Sequence, residues 1–245
     1  MGAGRGRIAC VRYTTRIAAV SESEGLRKAE ETMAQETEIK LRIDNTKAFQ
    51  RALKRLGVRA GAPGGRVHEL NVIYDTPEGG LAKQGQLLRI RTETSEKEWK
   101  KRGAVKNRVL VTFKRPVEEG TDAPPNRPPR GRYKVREEIE LEVAEAGKMT
   151  KIFEGLGMKG WFMYEKYRTT FALPEPDAAP GIVALDETPI GVFMELEGPE
   201  YWIDRTALHL GFSPNDYVTV SYATLYRDYV ASYGGFPDMI FKAES

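Results

Sequence analysis

The chain has 245 residues, of which 40% are apolar and 30% charged, so it can bury a core and carry an ordinary globular surface. Its 38 basic and 35 acidic residues leave a net charge of only +3, which argues against a general nucleic-acid binder. A single cysteine excludes an internal disulfide framework, and no apolar run reaches the ~18 residues of a membrane span. We therefore predict a cytoplasmic protein with no nucleic-acid or membrane partner.

The first residues differ in composition from the rest of the chain. A Gly/Arg-rich start, MGAGRGR, and a polar run, SESEGLRKAEET, show no sustained hydrophobic period. Such segments offer little apolar surface to bury. The composition predicts a poorly ordered arm over residues 1–32 and one folded domain over residues 33–245.

Short strands and a few helices follow one another along this domain. Turn signals such as PEGG at 77–80 and PEPDAAPG at 174–181 separate the strands. Apolar stripes at helical spacing predict helices near residues 45–56, 149–156, 206–210 and 221–232. Strands are predicted over residues 36–43, 69–75, 86–92, 108–114, 133–143, 163–173, 181–187 and 192–197.

The first strand, ETEIKLRI, sorts its side chains onto two unlike faces. Successive strand residues point to opposite faces, so Glu36, Glu38 and Lys40 share one face, and the opposite face is largely apolar. The same alternation recurs in the later strands, whose charged faces carry Arg89 and Arg91; Lys114; Arg136, Glu138 and Glu140; Lys166 and Arg168; Asp186; and Glu195 and Glu197.

Two arrangements explain these charged faces. In an open antiparallel sheet they would lie in water. In a closed barrel they would line the lumen, where opposed acids and bases are costly unless a ligand of both signs is bound. A metal–polyphosphate complex has that character, because Mg²⁺ or Mn²⁺ prefers carboxylate and phosphate oxygens and arginine forks match phosphate.

The motif ETEIK is similar to the ExExK signature of the CYTH superfamily, the triphosphate tunnel metalloenzymes. Later blocks keep the family's order: YDTPEGGLAKQGQLLRIRTE, TFKRP, REEIELEV, EKYRTTF and ALDETPIGVFMELEG. The resemblance runs from about residue 33 to the C-terminal helix. It implies an α+β fold, an eight-stranded antiparallel closed β-barrel with helices packed outside.

The resemblance also implies metal-dependent hydrolysis of a triphosphate and a set of site residues. Lys40, Glu36 and Glu38 would be catalytic, with Lys40 or a glutamate accepting a proton from the attacking water. The implied ligands of Mg²⁺ or Mn²⁺ are Glu36, Glu38, Asp186, Glu195 and Glu197, with Glu138 and Glu140 as further candidates. The triphosphate would be bound by Lys40, Arg89, Arg91, Lys114, Arg136, Lys166 and Arg168.

Inorganic triphosphate is the expected substrate, because nothing in the sequence marks a nucleobase or thiamine pocket. Leu87 stands where animal-type thiamine triphosphatases carry a tryptophan. Residues 218–220 lack the lysine that family members often carry there, and Arg227 is a candidate replacement. Two alternatives remain open, a class IV-type adenylate cyclase and a non-catalytic binder of polyphosphate or nucleotides. The protein is expected to be a monomer or a homodimer.

Overall fold

The computed structural model describes residues 34–55, 59–60, 65–99, 106–117, 131–172 and 181–242. The predicted arm at residues 1–32 lies outside the described residues and stays a prediction. The strands are β1 (Ala34–Arg42), β2 (Arg59–Ala60), β3 (Arg66–Asp75), β4 (Leu87–Ser95), β5 (Arg108–Pro116), β6 (Lys134–Val143), β7 (Lys159–Ala172), β8 (Ile182–Thr188) and β9 (Gly191–Glu197). The helices are α1 (Thr46–Arg55), α2 (Gly80–Lys83), α3 (Glu96–Trp99), α4 (Ala146–Gly155), α5 (Glu200–His209) and α6 (Tyr222–Tyr233), with a 3₁₀ turn at Pro214–Asp216.

Eight of these strands form a closed antiparallel barrel in the order β7-β3-β4-β5-β6-β1-β9-β8, and pairing of β7 with β8 closes the ring. The two-residue strand β2 pairs with the end of β7. The predicted fold class is therefore confirmed. Closure is compatible with the alternating pattern, because a closed barrel gives every charged face a common interior and leaves the apolar faces outside.

The first strand, β1, lies between β6 and the last barrel strand, β9. Glu38 is consequently opposite Lys134 on one side and Glu197 on the other. Further along β1, the backbone N–H and C=O of Lys40 both bond to Val218 at 2.9 Å. This contact brings the start of α6 to the barrel wall.

Apolar clusters attach the longer helices to the outside of the barrel. In the largest cluster, Phe49 of α1 and Trp202 of α5 pack with the outward residues Ile39 and Leu41 of β1. A second cluster joins α6 to β7 and β9, and a third joins α4 to β3, β4 and β5. None of the described helices is long and apolar enough to cross a membrane.

The resemblance implied helices packed outside the barrel, but no described helix covers Ile139 and Leu141 on the outer face of β6. Ile139 is 42% exposed and Leu141 is 61% exposed. The reason lies in where the helices pack, because α1 and α5 cover β1, β8 and β9, whereas α4 covers β3 to β5. For this part of β6 the prediction is wrong.

Candidate functional site

The barrel brings nearly all the predicted site residues together in its lumen. Glu140 is the exception, because it is exposed and accepts a hydrogen bond from Thr112 at 3.2 Å. The buried members are Glu36, Glu38, Lys40, Arg89, Lys166, Asp186 and Glu195. The partly buried members are Arg91, Lys114, Arg136, Glu138, Arg168 and Glu197.

One set of lumen carboxylates is bound closely by basic side chains. We call Glu69, Asp186 and Glu195 the paired acids. Asp186 accepts hydrogen bonds from Lys166 at 2.8 Å and from two nitrogens of Arg168, each at 2.7 Å. Arg168 also donates to Glu195. Each of these bases therefore lies between carboxylates.

Two of the paired acids, Glu69 and Glu195, keep their charge although they are buried. Burial acts to raise the pKa of Glu69, but Arg91, Lys166 and Arg168 outweigh it and hold that pKa well below its usual value. Burial likewise opposes ionisation of Glu195, and Arg168, Lys166 and Lys40 lower its pKa strongly. The bases around Glu69 and Glu195 therefore outweigh the effect of burial on their charge, although one oxygen of Glu69 has no hydrogen-bond partner.

A second set of carboxylates, the acidic cluster, comprises Glu36, Glu38, Glu138 and Glu197. Lys114 contacts Glu36 and lies 3.2 Å from Glu138. Glu38 receives hydrogen bonds from Lys134 and, at 3.0 Å, from Lys40. Lys114 and Lys134 thus face three of the four carboxylates. A third lysine, Lys40, divides its charge between Glu38 and, at 3.4 Å, Glu195 of the paired acids.

This cluster is not fully compensated. Burial and the neighbouring charges of Glu36 and Glu38 raise the pKa of Glu197 to about 7, although Lys114 opposes them. Burial and the charge of Glu38 also raise the pKa of Glu36. For Glu38 itself, burial is outweighed by Lys40 and Lys134, and the pKa is lowered. When its carboxylates are ionised, the cluster would therefore have an excess of negative charge that the protein's own bases do not cancel.

The donor chemistry of the acidic cluster fits Mg²⁺ or Mn²⁺. Among the residues that the structure describes, no group of three or more His, Cys, Asp or Glu side chains is arranged to hold a metal ion. The cluster nevertheless offers carboxylate oxygens, which hard divalent cations prefer, and its mutual repulsion would be relieved by a cation. Because Lys114 stands between Glu36 and Glu138, cation binding there requires this lysine to turn away.

Arginines of β4 supply hydrogen-bond donors to the other part of the lumen. Arg89 donates to Tyr164 and to Thr112, both at 3.1 Å, and its buried Nε has no hydrogen-bond partner. Arg91 donates to Asn71 at 3.1 Å. An unpartnered buried guanidinium nitrogen is costly, so Arg89 has a donor available for an anion.

Lys40 is held in its charged form. Burial acts to lower the pKa of Lys40, but Glu38 and Glu195 outweigh it and raise the pKa above its usual value. A lysine that is held in its charged form is a hydrogen-bond donor and does not accept a proton from water. Of the two sequence-based candidates for the proton acceptor, the electrostatics favour a glutamate.

Four lumen residues were not found from the sequence: Glu69, Asn71, Lys134 and Tyr222. The period of two extends to three of them, because Glu69 and Asn71 share a face of β3 and Lys134 precedes Arg136 by two positions. Tyr222 has no such signal. It is the first residue of α6, and its hydroxyl donates to Asp186 at 2.8 Å.

Two connected cavities open along the lumen. The inner cavity, about 70 Å³, is lined by the charged residues of β1, β4, β7 and β9. The mouth cavity, about 630 Å³, is largely apolar and lies between α6, the start of β7 and the turn that leads into β4. Arg227 and Arg136 line the mouth cavity only. Both cavities share Ile73, Leu87, Lys114, Lys134, Ser221 and Ala223, which makes them continuous.

A closed antiparallel barrel with opposed acids and bases in its lumen defines a tunnel-type domain for a highly charged ligand. The CYTH domain family model matches residues 34–201, and the chain belongs to the CYTH domain family. Members of this family act on triphosphates, as triphosphatases or adenylate cyclases, and generally depend on divalent metal ions.

Solved structures with the same fold come from distant organisms. The PH1819 protein of Pyrococcus horikoshii OT3 is 20% identical, with a TM-score of 0.59 over 79% of this chain and 99% of that one. A candidate adenylate cyclase from Vibrio parahaemolyticus is 19% identical, with a TM-score of 0.56 over 78% and 97%. A candidate adenylyl cyclase from Hippeastrum, described as having a dominant triphosphatase activity, is 20% identical, with a TM-score of 0.51 over 79% and 95%. No curated protein matches the chain.

Proposed function

We propose that the protein hydrolyses a triphosphate chain bound in its lumen, with Mg²⁺ or Mn²⁺ as cofactor. The observation that carries this proposal is the division of charge in the lumen. Arg89 has an unsatisfied donor on the basic side, and Glu197 has a raised pKa on the acidic side. A site that binds a polyanion without a metal ion does not require buried carboxylates that repel one another. A site that binds only a metal ion does not require the arginines.

In this proposal the triphosphate lies along the inner cavity. Arginine provides planar donors that match phosphate oxygens, and lysine provides compact positive charge. The paired acids Asp186 and Glu195 hold Lys166 and Arg168 in the lumen, which differs from the metal-ligand role that the resemblance implied for them. The phosphate-binding residues are Lys40, Arg89, Arg91, Lys114, Lys134, Lys166 and Arg168, with Arg136 at the mouth.

The cation would be held by the acidic cluster, with Glu36, Glu38 and Glu197 as its principal ligands and Glu138 as a further one. When bound, it supplies positive charge to the phosphate oxygens and acidifies a water molecule. Glu140 is left out of this set because it is exposed.

Catalysis then rests on positioning and charge neutralisation, as phosphoryl transfer generally does. Lys40 keeps its proton and donates to the phosphate chain, because Glu38 and Glu195 stabilise its charged form. A glutamate of the acidic cluster accepts the proton of the attacking water, and Glu36, whose pKa is raised, suits this role better than Glu38, whose pKa is lowered. Departure of Lys114 and Lys134 from the acidic cluster to the phosphates would at the same time free the carboxylates for the cation.

Formation of cyclic AMP from ATP is the second candidate function. The mouth cavity favours it, because its volume of about 630 Å³ falls in the range of small-molecule sites and it adjoins the basic lumen. The Vibrio and Hippeastrum neighbours are both candidate cyclases, and the latter has a dominant triphosphatase activity. We prefer hydrolysis, because the charges of the lumen are sufficient to explain it and no site for a nucleoside is required.

The test is a product assay over a panel of triphosphates with Mg²⁺, Mn²⁺ or EDTA. We expect metal-dependent phosphate release, and Glu38→Gln and Glu197→Gln should lower turnover at least about 100-fold, because each removes a ligand charge from the cation site. Glu137→Gln is the matched control, since Glu137 pairs with Arg115 on the outer face of β6.

Each alternative has its own result in this assay. Cyclic AMP as the main product would replace hydrolysis with the cyclase function. Tight binding without turnover of any substrate would indicate a binder. Full metal-dependent turnover by both glutamine variants would show that the acidic cluster does not hold the cation.

A further inference from the structure

The mouth cavity has a composition that a bare phosphate chain does not require. Its wall is mostly apolar and includes the aromatic residues Trp161, Phe162, Tyr226 and Phe236. Polyphosphate has no apolar surface to bury, so such a wall contributes nothing to an inorganic ligand. Sites of this size with apolar walls and a few polar groups are typical of small organic molecules.

Trp161 is both exposed and held in one orientation. Its side chain is on the surface, with 53% of the residue exposed, yet its indole Nε1 donates to the backbone oxygen of Thr76 at 3.0 Å. The tight turn before α2 approaches the same ring, since a Cβ at Gly79 would lie 3.4 Å from it. A fixed indole with an open face can stack on a planar ring with little loss of side-chain entropy.

Phe236 supplies a second exposed ring to the same cavity, because 63% of it is accessible to solvent. The segment that carries it is fastened to the barrel. The Phe236 carbonyl accepts a hydrogen bond from the Tyr226 hydroxyl at 3.0 Å, and Met239 is fully buried against β7. Both exposed rings therefore project from anchored backbone.

The charges around the cavity indicate the kind of ring. Asp75 is the acidic residue of the wall, and its carboxylate accepts backbone N–H groups of Thr76, Leu81 and Ala82 at 2.7–2.9 Å. The other charged wall residues are basic: Lys114, Lys134, Arg136 and Arg227. A neutral ring is favoured over a cationic one, because four basic residues line the wall against one acidic residue, whose carboxylate is already bound by backbone N–H groups.

We propose that the mouth cavity is a subsite for the base and sugar of a nucleoside triphosphate, with Trp161 and Phe236 as its specificity-determining residues. The inference rests on the proposed function, because the phosphate chain must continue into the lumen past Lys114 and Lys134. It replaces the expectation of inorganic triphosphate, which held only because the sequence showed no pocket for an organic group. A thiazolium-bearing triphosphate is disfavoured by the basic wall.

The experiment compares kinetics on inorganic triphosphate, thiamine triphosphate and the four common ribonucleoside triphosphates with Mg²⁺. Wild type should have its highest kcat/KM for a nucleoside triphosphate. Trp161→Ala and Phe236→Ala should each lower that value about tenfold, chiefly through KM, in line with alanine substitution at base-stacking residues. Neither should change kcat/KM for inorganic triphosphate more than twofold.

Two further variants separate stacking from general damage. Trp161→Phe keeps a stacking ring and should retain most of the nucleotide activity. Tyr201→Ala removes a ring that is 60% exposed and does not line the mouth cavity. It should leave kcat/KM unchanged for both nucleoside triphosphates and inorganic triphosphate. Equal losses on both substrates in Trp161→Ala, unchanged nucleotide kinetics, or a wild-type preference for inorganic or thiamine triphosphate would overturn the subsite.

A failure of the proposed function can be told apart from a failure of this inference. If no triphosphate is hydrolysed, the proposed function fails, and binding still tests the subsite. Nucleoside triphosphates should then quench the fluorescence of wild type but not of Trp161→Phe, and inorganic triphosphate should quench neither. Equal quenching by inorganic triphosphate, or none by nucleotides, would refute the subsite.

Discussion

The paired acids and the acidic cluster lie in one lumen, a few strands apart, and differ in how their charge is balanced. Among the paired acids, the carboxylate of Asp186 accepts hydrogen bonds from three different side chains: Lys166, Arg168 and Tyr222. Glu197, by contrast, has neighbours of its own sign, and its pKa is raised to about 7. A buried charge that its neighbours cancel is part of the architecture, whereas an uncancelled one marks where a ligand contributes.

Strand order creates this difference. Within the ring, β7 lies between β3 and β8, so its Lys166 and Arg168 face acids on both sides. In the other part of the ring, β1 lies beside β9, which places Glu38 directly opposite Glu197. Directly opposed like charges are destabilising across a strand pair, and the nearest lysines come from β5 and β6.

The sharpest test of the comparison is the stability of Asp186→Asn. This change leaves Lys166 and Arg168 buried without their principal partner, and breaking a buried ion pair in this way costs about 3–5 kcal/mol. Urea unfolding without metal or substrate should show that loss. Glu187→Gln is the control on the same strand, because its pair with Arg66 is 34–40% exposed and should contribute at most about 1 kcal/mol.

If Asp186→Asn and Glu187→Gln destabilise the protein equally, the paired acids are not architectural. Retained stability together with a loss of metal dependence in Asp186→Asn would move Asp186 to the acidic cluster. That outcome would restore the ligand role that the family resemblance implied for it.

Arg91→Ala probes the basic side and should have an intermediate effect. Its guanidinium donates to Asn71 and lies 3.4 Å from Glu69, so we expect it to reorient toward phosphate when the lumen is occupied. Triphosphate binding measured by calorimetry in EDTA should weaken by about 1.5–3 kcal/mol, the value of a hydrogen bond to a charged group. Arg115→Ala, on the outer face, should bind normally. Normal binding by Arg91→Ala would remove this residue from the site.

The smallest effect is expected from Glu197→Gln in the metal-free protein. The folded-state pKa of about 7 lies above the usual value of 4.5, so ionised Glu197 destabilises the fold. Below pH 4.5 both states are protonated and the effect vanishes; it grows as pH rises from 4.5 to 7 and is complete above 7. Above pH 7, Glu197→Gln should therefore be more stable than wild type by roughly 1–2 kcal/mol, which is less than the ~3.4 kcal/mol of the full shift because solvent screens a partly buried group.

Melting curves at pH 5 and pH 8, with and without Mg²⁺, measure this difference. Magnesium should stabilise wild type more than Glu197→Gln and thereby reduce the difference between their melting temperatures. A variant that is less stable than wild type at pH 8 without metal would show that Glu197 is already compensated, and the contrast between the two groups would disappear.

Much of the barrel and most of its charged lining follow from local alternation. A period of two is sufficient to place Glu36, Glu38 and Lys40 on one face, because strand geometry alone determines that relation. The order of family motifs supplied the closure that alternation leaves open, since an open sheet shows the same pattern. The same alternation would also have placed Lys134 and Glu69 in the lumen if it had been applied to every position of their predicted strands.

Other features depend on contacts between distant parts of the chain, which no local pattern records. Tyr222 reaches Asp186 only because the segment around Val218 bonds to β1. The mouth cavity combines Trp161 and Phe236 from separate elements, so its apolar wall exists only in the folded protein. The exposure of the outer face of β6 also could not be predicted from a local pattern, because the positions of the helices determine which strands are covered.

The position of β1 between β6 and β9 also has a consequence for the order of folding. Glu38 meets Glu197 only after the last barrel strand has been synthesised, so the ring cannot close earlier. Contacts between such distant segments require loop closure before they stabilise anything, which slows folding. On the ribosome, β1 would wait with an unpaired edge while the intervening hairpins form. A chain that ends before β9 should therefore lack cooperative unfolding and depend on chaperones during its synthesis.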